Sequence, residues 1–275
     1  MKAIGASLTL LSLCILGNAA ELQSQLPNPN EIRIVPIDPT PEPDNAVVRI
    51  RFPEANSVKV NAPVRVQLKV EGYPLATDSD FPRKKEVFNS SKGQGIKVIV
   101  DEDLYFLETE ALLDADNDTE NYFDQTVTFE IPDDLKQGMH VIRAFPVRSF
   151  NESLKGDGCF SESIFYFQKK KDNLAFDPTA PYLTYNAPQG SFKWGRNKPI
   201  LLDFYISNCQ LSKDGYKVRL TVNGTNMRML TSWTPYYIYG LQPGSHTIRL
   251  ELLDPQNKIV PGLFNDIKQK IDIRG

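Results

Sequence analysis

The sequence predicts an all-β protein made of two tandem antiparallel β-sandwich modules. Three observations predict this class: short runs of alternating apolar residues, the lack of a sustained helical period, and an internal repeat close to the size of one sandwich. The chain has 275 residues, which is enough for about two domains. Its content of 41% hydrophobic and 24% charged residues is ordinary for a globular protein.

Residues 1–19 have the layout of a secretory signal peptide. Lys2 precedes an apolar stretch from about Ala6 to Leu16, and small residues follow up to Ala19. The apolar run is too short for a permanent membrane anchor. We therefore expect an exported protein, located in the periplasm, at the cell surface or outside the cell, whose mature chain has no transmembrane anchor. Cys14 is preceded by leucine, which favours a cysteine removed with the signal over a lipidated one.

Residues 20–45 are rich in proline, which excludes a helix and a central strand. We expect an extended linker with one short strand near Ile32–Val35.

The remainder of the chain reads as a series of short strands. Val47–Phe52 and Val64–Val70 alternate apolar and polar residues, and Ile96–Val100 and Thr126–Ile131 are equally rich in β-branched and aromatic residues. Proline, glycine or aspartate bounds each run. Strands of this length and spacing favour antiparallel sandwiches over parallel βαβ units.

The second half of the chain repeats the first. Gly138 and Gly244 each begin a G-x-H-x-I-R block, and matching blocks begin at Gly95 and Gly215, and at Pro63 and Pro199. The blocks keep the same order in both halves. We therefore expect one module at residues 46–168, a linker at 169–179 and a second module at 180–275. The first copy is longer, and its extra residues fall at 71–94 and 101–123.

The segment Leu241–Asp254 carries the pattern L-x-x-G-x-H-x-I-x-L-x-L-x-D. This pattern resembles a signature of immunoglobulin-like and fibronectin-III-like modules in exported bacterial proteins. The resemblance covers mainly the second half and implies a sandwich that serves as a spacer, an adhesive module or a carbohydrate-binding accessory. The first copy departs from the pattern at Ala144, Pro146 and Arg148, so we expect its late strand to be interrupted.

The two histidines of the chain occupy the same position of the repeat, two residues after Gly138 and Gly244. The strand phase turns His140 and His246 toward the core, where each ring can bond the preceding turn. We expect them to be structural, because neither module offers enough nearby ligands for a metal.

An acidic loop contains Asp114, Asp116 and Asp118, spaced like the start of a calcium loop. An EF-hand needs glycine at its sixth position and glutamate at its twelfth, and this loop has Thr119 and Gln125 there. A solvated turn is therefore favoured over a weak calcium site, and we expect no metal and no cofactor.

Two interpretations of the aromatic residues Trp194, Trp233, Tyr236 and Tyr237 stay open. They form either a surface platform for a sugar ring or protein partner, or part of the sandwich core. Cys159 and Cys209 are equally ambiguous. They form either a disulfide between the two modules or two separate buried thiols.

The net charge and the lack of catalytic motifs argue against two classes of function. A net charge of −3 argues against nucleic-acid binding. The sequence contains no G-x-S-x-G, H-E-x-x-H, C-x-x-C or phosphate-loop motif, so we do not expect an enzyme. We expect a non-catalytic binding or scaffold protein that recognises a protein partner at the cell envelope or outside the cell. The alternative is a carbohydrate-binding protein that uses the aromatic residues of the second module. The insertions 71–94 and 101–123 are the expected specificity loops.

Overall fold

A computed structural model describes residues 31–102, 104–113, 125–132 and 135–275 of the chain. The predicted fold class is confirmed, because the described residues form four mainly antiparallel sheets and one short helix, α1 (Arg83–Glu86). The predicted signal peptide lies outside the described residues.

The N-terminal arm contributes one strand, and the first module contributes nine. In chain order they are β1 (Arg33–Pro36), β2 (Val47–Phe52), β3 (Val58–Lys59), β4 (Val64–Glu71), β5 (Gly95–Val100), β6 (Leu104–Glu108), β7 (Leu112–Leu113), β8 (Gln125–Ile131), β9 (Gly138–Val147) and β10 (Ser161–Phe167). The first module has one sheet of order β2-β4-β8-β7 and one of order β3-β10-β9-β5-β6. Among the described strands of the first module, only the short β3 pairs in parallel, with β10.

The second module has eight strands of its own. They are β11 (Tyr182–Ala187), β12 (Gly190–Lys193), β13 (Ile200–Ser207), β14 (Lys217–Val222), β15 (Asn226–Leu230), β16 (Tyr236–Tyr239), β17 (Gly244–Leu253) and β18 (Asp266–Arg274). One sheet has the order β12-β18-β17-β14-β15, which matches the five-stranded sheet of the first module strand by strand. The other has the order β1-β16-β13-β11. The sequence repeat is therefore also a repeat of topology.

The arm forms the short strand expected near Ile32–Val35, but it is part of the second module and not only a linker. Strand β1 pairs antiparallel with β16, in the position that β7 takes beside β8 in the first module. Ile34 is buried in the core of the second module. The free edge of β16 explains this placement, because an unpaired strand edge exposes a row of backbone hydrogen-bonding groups.

The late strand of the first module is continuous, so the predicted interruption is wrong. Strand β9 is buried along its whole length and pairs on both sides, with β5 and β10. One face of β9 lies in the core of its own module, while Val141 on the other face packs into the core of the second module. Because both faces are covered, the strand loses the alternation seen in its counterpart β17.

Each module has its own hydrophobic core, and two mixed clusters join the modules. One mixed cluster packs Ile99, Phe145 and Val147 of the first module against Tyr205 of the second. The other joins the insertion 71–94 to β13 and β16. The two sandwiches therefore share a buried apolar interface.

A buried arginine crosses this interface. The guanidinium of Arg143 donates to Thr184 Oγ1 at 3.0 Å and to the carbonyl of Asp101, and it lies 3.6 Å from the ring centre of Phe264. Burial lowers the pKa of Arg143 to about 10. Its hydrogen bonds and ring contact link β9 to the second module.

Candidate functional site

A groove runs along the junction of the two modules. Its deep part is a cavity of about 210 Å³ between β5, β6 and the insertion 71–94 on one side and β11 to β13 on the other. Phe88 comes from the first insertion, Tyr105 and Leu107 come from the second, and Pro188 and Phe192 face them from the second module. Both segments predicted as specificity loops thus contribute walls to one cavity.

The insertion 71–94 is fixed by backbone hydrogen bonds within itself and to the rest of the first module. Within the insertion, Ala76 N donates to Gln94 O at 2.9 Å, and Ser90 N donates to Ser149 O outside it at 2.7 Å. Gly93 has a φ of +78°, and a Cβ there would lie 2.5 Å from the backbone of Ala76, so the turn requires glycine. The insertion therefore presents Phe88 on a fixed frame.

Lys97 lies at the deep end of the groove. It is on β5, where Ile96 and Val98 point into the core of the first module and Lys97 points toward the second. Its Nζ donates to Asn186 O at 2.9 Å and to Gln189 Oε1 at 3.3 Å. Burial lowers the pKa of Lys97 to about 8, against the opposing attraction of Asp203.

Two further pockets extend the groove toward the outer end of the second module. Phe88 meets Phe192 edge to face, with ring centres 5.9 Å apart, and these rings line both the cavity and the next pocket. That pocket continues past Trp194, which is 38% exposed, to a third pocket that ends at Gln242. The three pockets share lining residues and form one slot, which is apolar in its first two parts and mainly polar in the third.

The groove is positively charged although the chain is not. Lys97 stands at the deep end, and Lys193, Arg196 and Lys198 stand around Trp194. None of the described residues that line the three pockets is acidic. The groove therefore attracts anionic groups on a chain whose net charge is −3.

The predicted aromatic platform does not form as a set of four. Tyr236 and Tyr237 are only 2% and 5% exposed, because β16 is paired on both sides and both of its faces are packed. Trp233 is 37% exposed, and its Nε1 donates to Phe204 O at 2.9 Å. Of the four residues, only Trp194 lines the groove.

Both histidines bond the turn before their strand. Nε2 of His140 lies 2.6 Å from Lys136 O, and Nε2 of His246 lies 2.7 Å from Gln242 O. Each acceptor is the carbonyl four residues upstream. Gly138 and Gly244, which start the two strands, have φ values of +123° and +137°.

The second ring nitrogen distinguishes the two histidines. Nδ1 of His140 lies 2.7 Å from a carboxylate oxygen of Asp101, so both ring nitrogens face oxygen acceptors, an arrangement that favours the protonated ring. Burial opposes this charge, but the hydrogen bond and charge of Asp101 raise the pKa of His140. Nδ1 of His246 lies 2.9 Å from the amide nitrogen of Asn223, which is a donor and not a carboxylate.

The two cysteines are free thiols in this structure, which corresponds to the second alternative left open by the sequence. Cys159 lies in the core of the first module, where its Sγ donates to Ala46 O at 3.3 Å. Cys209 packs against the core of the second module. Burial raises the pKa of each thiol to about 11.

Asp114, Asp116 and Asp118 lie outside the described residues. Among the residues that are described, no group of three or more His, Cys, Asp or Glu side chains is placed to hold a metal ion. The described part of the chain also has no helix with the length and apolar character needed to cross a membrane.

Sequence reasoning missed Lys97, Phe88 and Phe192 as members of one site. A single lysine within the apolar run Ile96–Val100 was the available signal, because a charge in a buried strand needs a compensating partner or a function. The three residues meet only through the packing of one module on the other.

Comparison with known proteins gives similarity at the level of fold. No family model and no curated protein matches this sequence. Among solved structures, fibronectin(III)-like modules of CbhA from Clostridium thermocellum match with 14% identity and a TM-score of 0.27, over 83% of this chain and 94% of that one.

Two further structures show the same level of similarity. The chicken CNTN1 FN1-FN3 domains match with 12% identity and a TM-score of 0.22, over 85% of this chain and 67% of that one. SGBP-B of the Bacteroides ovatus mixed-linkage glucan utilization locus, solved with a heptasaccharide, matches with 11% identity and a TM-score of 0.21, over 89% and 64%. Because these TM-scores are low, the fold is assigned from the strand order of this chain. The strand order assigns an all-β fold of two tandem sandwiches, each fibronectin-III-like or immunoglobulin-like.

Proposed function

We propose that this chain is an exported, non-catalytic binding protein that holds a segment of a protein partner in the groove between its modules. One observation carries the proposal: both insertions of the first module line the same deep, mainly apolar cavity of the groove. Loops on a rigid sandwich are common carriers of binding function.

The size and lining of the groove favour a protein segment. Its deep cavity, about 210 Å³, is smaller than the roughly 300–1,000 Å³ of a typical small-molecule pocket. A cavity of this size suits one or two apolar side chains, which is how a buried anchor residue contributes to a protein interface. Phe88 and Trp194 are 47% and 38% exposed, so a partner can still cover them.

The rigid junction supports the same proposal. Arg143, the mixed apolar clusters and β1 all connect the modules, so the walls of the groove need little rearrangement before a ligand binds. A preorganised site loses less entropy on binding, which increases affinity for a given contact area.

Carbohydrate binding is the second candidate, because half-exposed Trp194 offers a face for a sugar ring. With Tyr236 and Tyr237 buried, this stacking surface is much smaller than the predicted platform. The protein partner is therefore the better supported of the two.

The test compares capture by matched variants of the mature protein. Phe88→Asp places a charge in the groove, and Phe52→Asp makes the same change on β2, where Phe52 is 39% exposed. Envelope and extracellular proteins of the source organism are passed over each immobilised protein and identified by mass spectrometry. We expect a partner that binds the original protein and Phe52→Asp but not Phe88→Asp.

A glycan array and insoluble polysaccharides provide the competing arm, with Trp194→Ala and Trp233→Ala variants of confirmed fold. Glycan binding lost in Trp194→Ala would replace the protein-partner proposal with the carbohydrate one. Equal capture of every protein by Phe88→Asp and Phe52→Asp would contradict the proposed use of the groove.

A further inference from the structure

We infer that the groove selects acidic protein segments, in which carboxylates flank one large apolar side chain. One carboxylate pairs with Lys97, the apolar side chain fills the space by Phe88 and Phe192, and further carboxylates meet the basic rim. This inference rests on the proposed function and adds the chemistry of the partner.

The first argument is the incomplete coordination of Lys97. Its ammonium group has three donors, and the described residues provide acceptors for two of them, both neutral oxygens of the second module. Asp203 is the nearby acid, but it already accepts from Lys155 Nζ at 2.6 Å and from Asn186 Nδ2 at 2.6 Å. Lys97 is 5% exposed and lines the cavity. A ligand carboxylate that enters the cavity can therefore accept a hydrogen bond from the third N–H of this desolvated ammonium group.

The second argument is the basic rim, defined here as Lys193, Arg196 and Lys198. All three side chains are exposed around Trp194, and none takes part in an ion pair within the described residues. Because no described residue of the groove walls is acidic, the charges of the rim add to one positive field. A cationic partner would be repelled along the whole slot.

The third argument is the apolar middle of the groove. Phe88, Phe192 and Ile200 line both the cavity and the adjoining pocket, between Lys97 and the rim. Filling this space requires an aromatic or large aliphatic side chain, which an acidic polysaccharide does not have. The groove therefore has an apolar middle between two cationic ends, and this order favours an acidic peptide over an anionic sugar.

The test selects ligands from a phage library of random 12-residue peptides on the mature protein. The affinities of the winning peptides are then measured on four variants. Phe88→Asp blocks the groove, Lys97→Met removes the deep charge, and Lys193→Glu/Lys198→Glu reverses the rim. Lys268→Glu/Lys270→Glu reverses two exposed charges on β18 outside the groove lining and is the matched control.

We expect peptides rich in Asp and Glu around one aromatic or large aliphatic residue. Their affinity should fall about tenfold or more in Lys97→Met and in the rim variant, because close complementary charges contribute on the order of 1.5 kcal/mol or more. The control should stay within about twofold. If Lys97→Met fails to fold, the rim variant alone decides.

The other outcomes separate the two proposals. Neutral or basic peptides that lose binding in Phe88→Asp would leave the groove as a protein site and overturn the inference. Peptides that bind Phe88→Asp unchanged would overturn the proposed function as well. Binding of polygalacturonate that is lost in the rim variant, without any acidic peptide, would overturn the assignment to a protein segment.

Discussion

Replacing Ile34 with alanine tests whether the N-terminal arm is a structural part of the second module. The Ile34 side chain is 8% exposed and packs in the core of that module, whereas the next residue, Val35, is 38% exposed on the other face of β1. Ile34→Ala removes three carbon atoms, and each buried carbon contributes about 0.8 kcal/mol, so the expected loss is about 2–2.5 kcal/mol. Val35→Ala is the matched control, with an expected loss below about 1 kcal/mol.

The assay is equilibrium unfolding in urea, followed by tryptophan fluorescence. Both tryptophans of the chain, Trp194 and Trp233, belong to the second module, so the signal reports the module that β1 completes. A lower midpoint with an unchanged slope would give the loss of stability directly.

A second variant tests the docking of the arm from the side of the second module, just after β16. Gly240 has a φ of +84°, and a Cβ there would lie 2.2 Å from the carbonyl oxygen of Glu31. Gly240→Ala should therefore also destabilise the second module. The reasoning would be refuted if Ile34→Ala cost no more than Val35→Ala, because β1 would then not be docked on β16 in solution.

Three further predictions concern buried polar groups. Arg143→Ala should lower the free energy of unfolding by about 3 kcal/mol in the same urea titration, because it leaves a cavity and unpaired acceptors. The control Arg49→Ala breaks a surface ion pair with Glu71 of 2.8 Å and should lower it by less than about 1 kcal/mol. The pKa of His140 is raised in the folded protein, so its stabilising contribution is full below the unfolded value near 6.5 and is lost as pH rises through the folded value. The stability gap to His140→Gln should thus shrink from pH 6 to 8, and Asp101→Asn should abolish that pH dependence. Cys159, whose pKa is about 11, should resist iodoacetamide at pH 8 until urea unfolds the chain, and fast labelling of the folded protein would contradict its burial.

The repeat was readable from the sequence because its markers are local. The G-x-H-x-I-R blocks mark β9 and β17, and the blocks at Gly95 and Gly215 mark β5 and β14. Turn glycines and strand alternation depend on neighbouring residues only, so they survive in the sequence as patterns. The equal strand order of the two five-stranded sheets follows from this repetition.

The sequence-based expectations for the arm, for Tyr236 and Tyr237, and for β9 were wrong or incomplete where segments far apart in the chain come into contact. Strand β1 pairs with β16, about two hundred residues along the chain, and nothing in residues 33–36 specifies that partner. The same contact covers β16 and turns Tyr236 and Tyr237 from candidate surface residues into buried ones. The continuity of β9 likewise depends on the second module covering its outer face.

In the candidate site, too, features set by neighbouring residues were predictable from the sequence, and contacts between distant residues were not. The insertions 71–94 and 101–123 were identifiable as loops added to a repeat, and both contribute to the groove. Lys97 was visible only as one charge in an apolar strand. Its acceptors, Asn186 O and Gln189 Oε1, belong to the other module, so their contact could not be inferred from spacing.

The path of the chain explains why the groove can be a fixed site. The chain first places β1 in the second module, then builds the whole first module, and then returns to complete the second. The connecting segment is held on the way, since Thr40 donates its backbone N–H to Glu152 at 2.7 Å and Glu42 accepts from Lys155 N at 2.7 Å.

Separating the modules would therefore require either β1 to leave β16 or this segment to leave the first module. The first step breaks the backbone pairing of β1 with β16, and the second breaks the hydrogen bonds of Thr40 and Glu42, in each case in addition to the buried interface around Arg143. A hinge motion between the modules is correspondingly costly. We therefore expect the groove to keep its width without a ligand, and any selectivity proposed for it to follow from the side chains that line it.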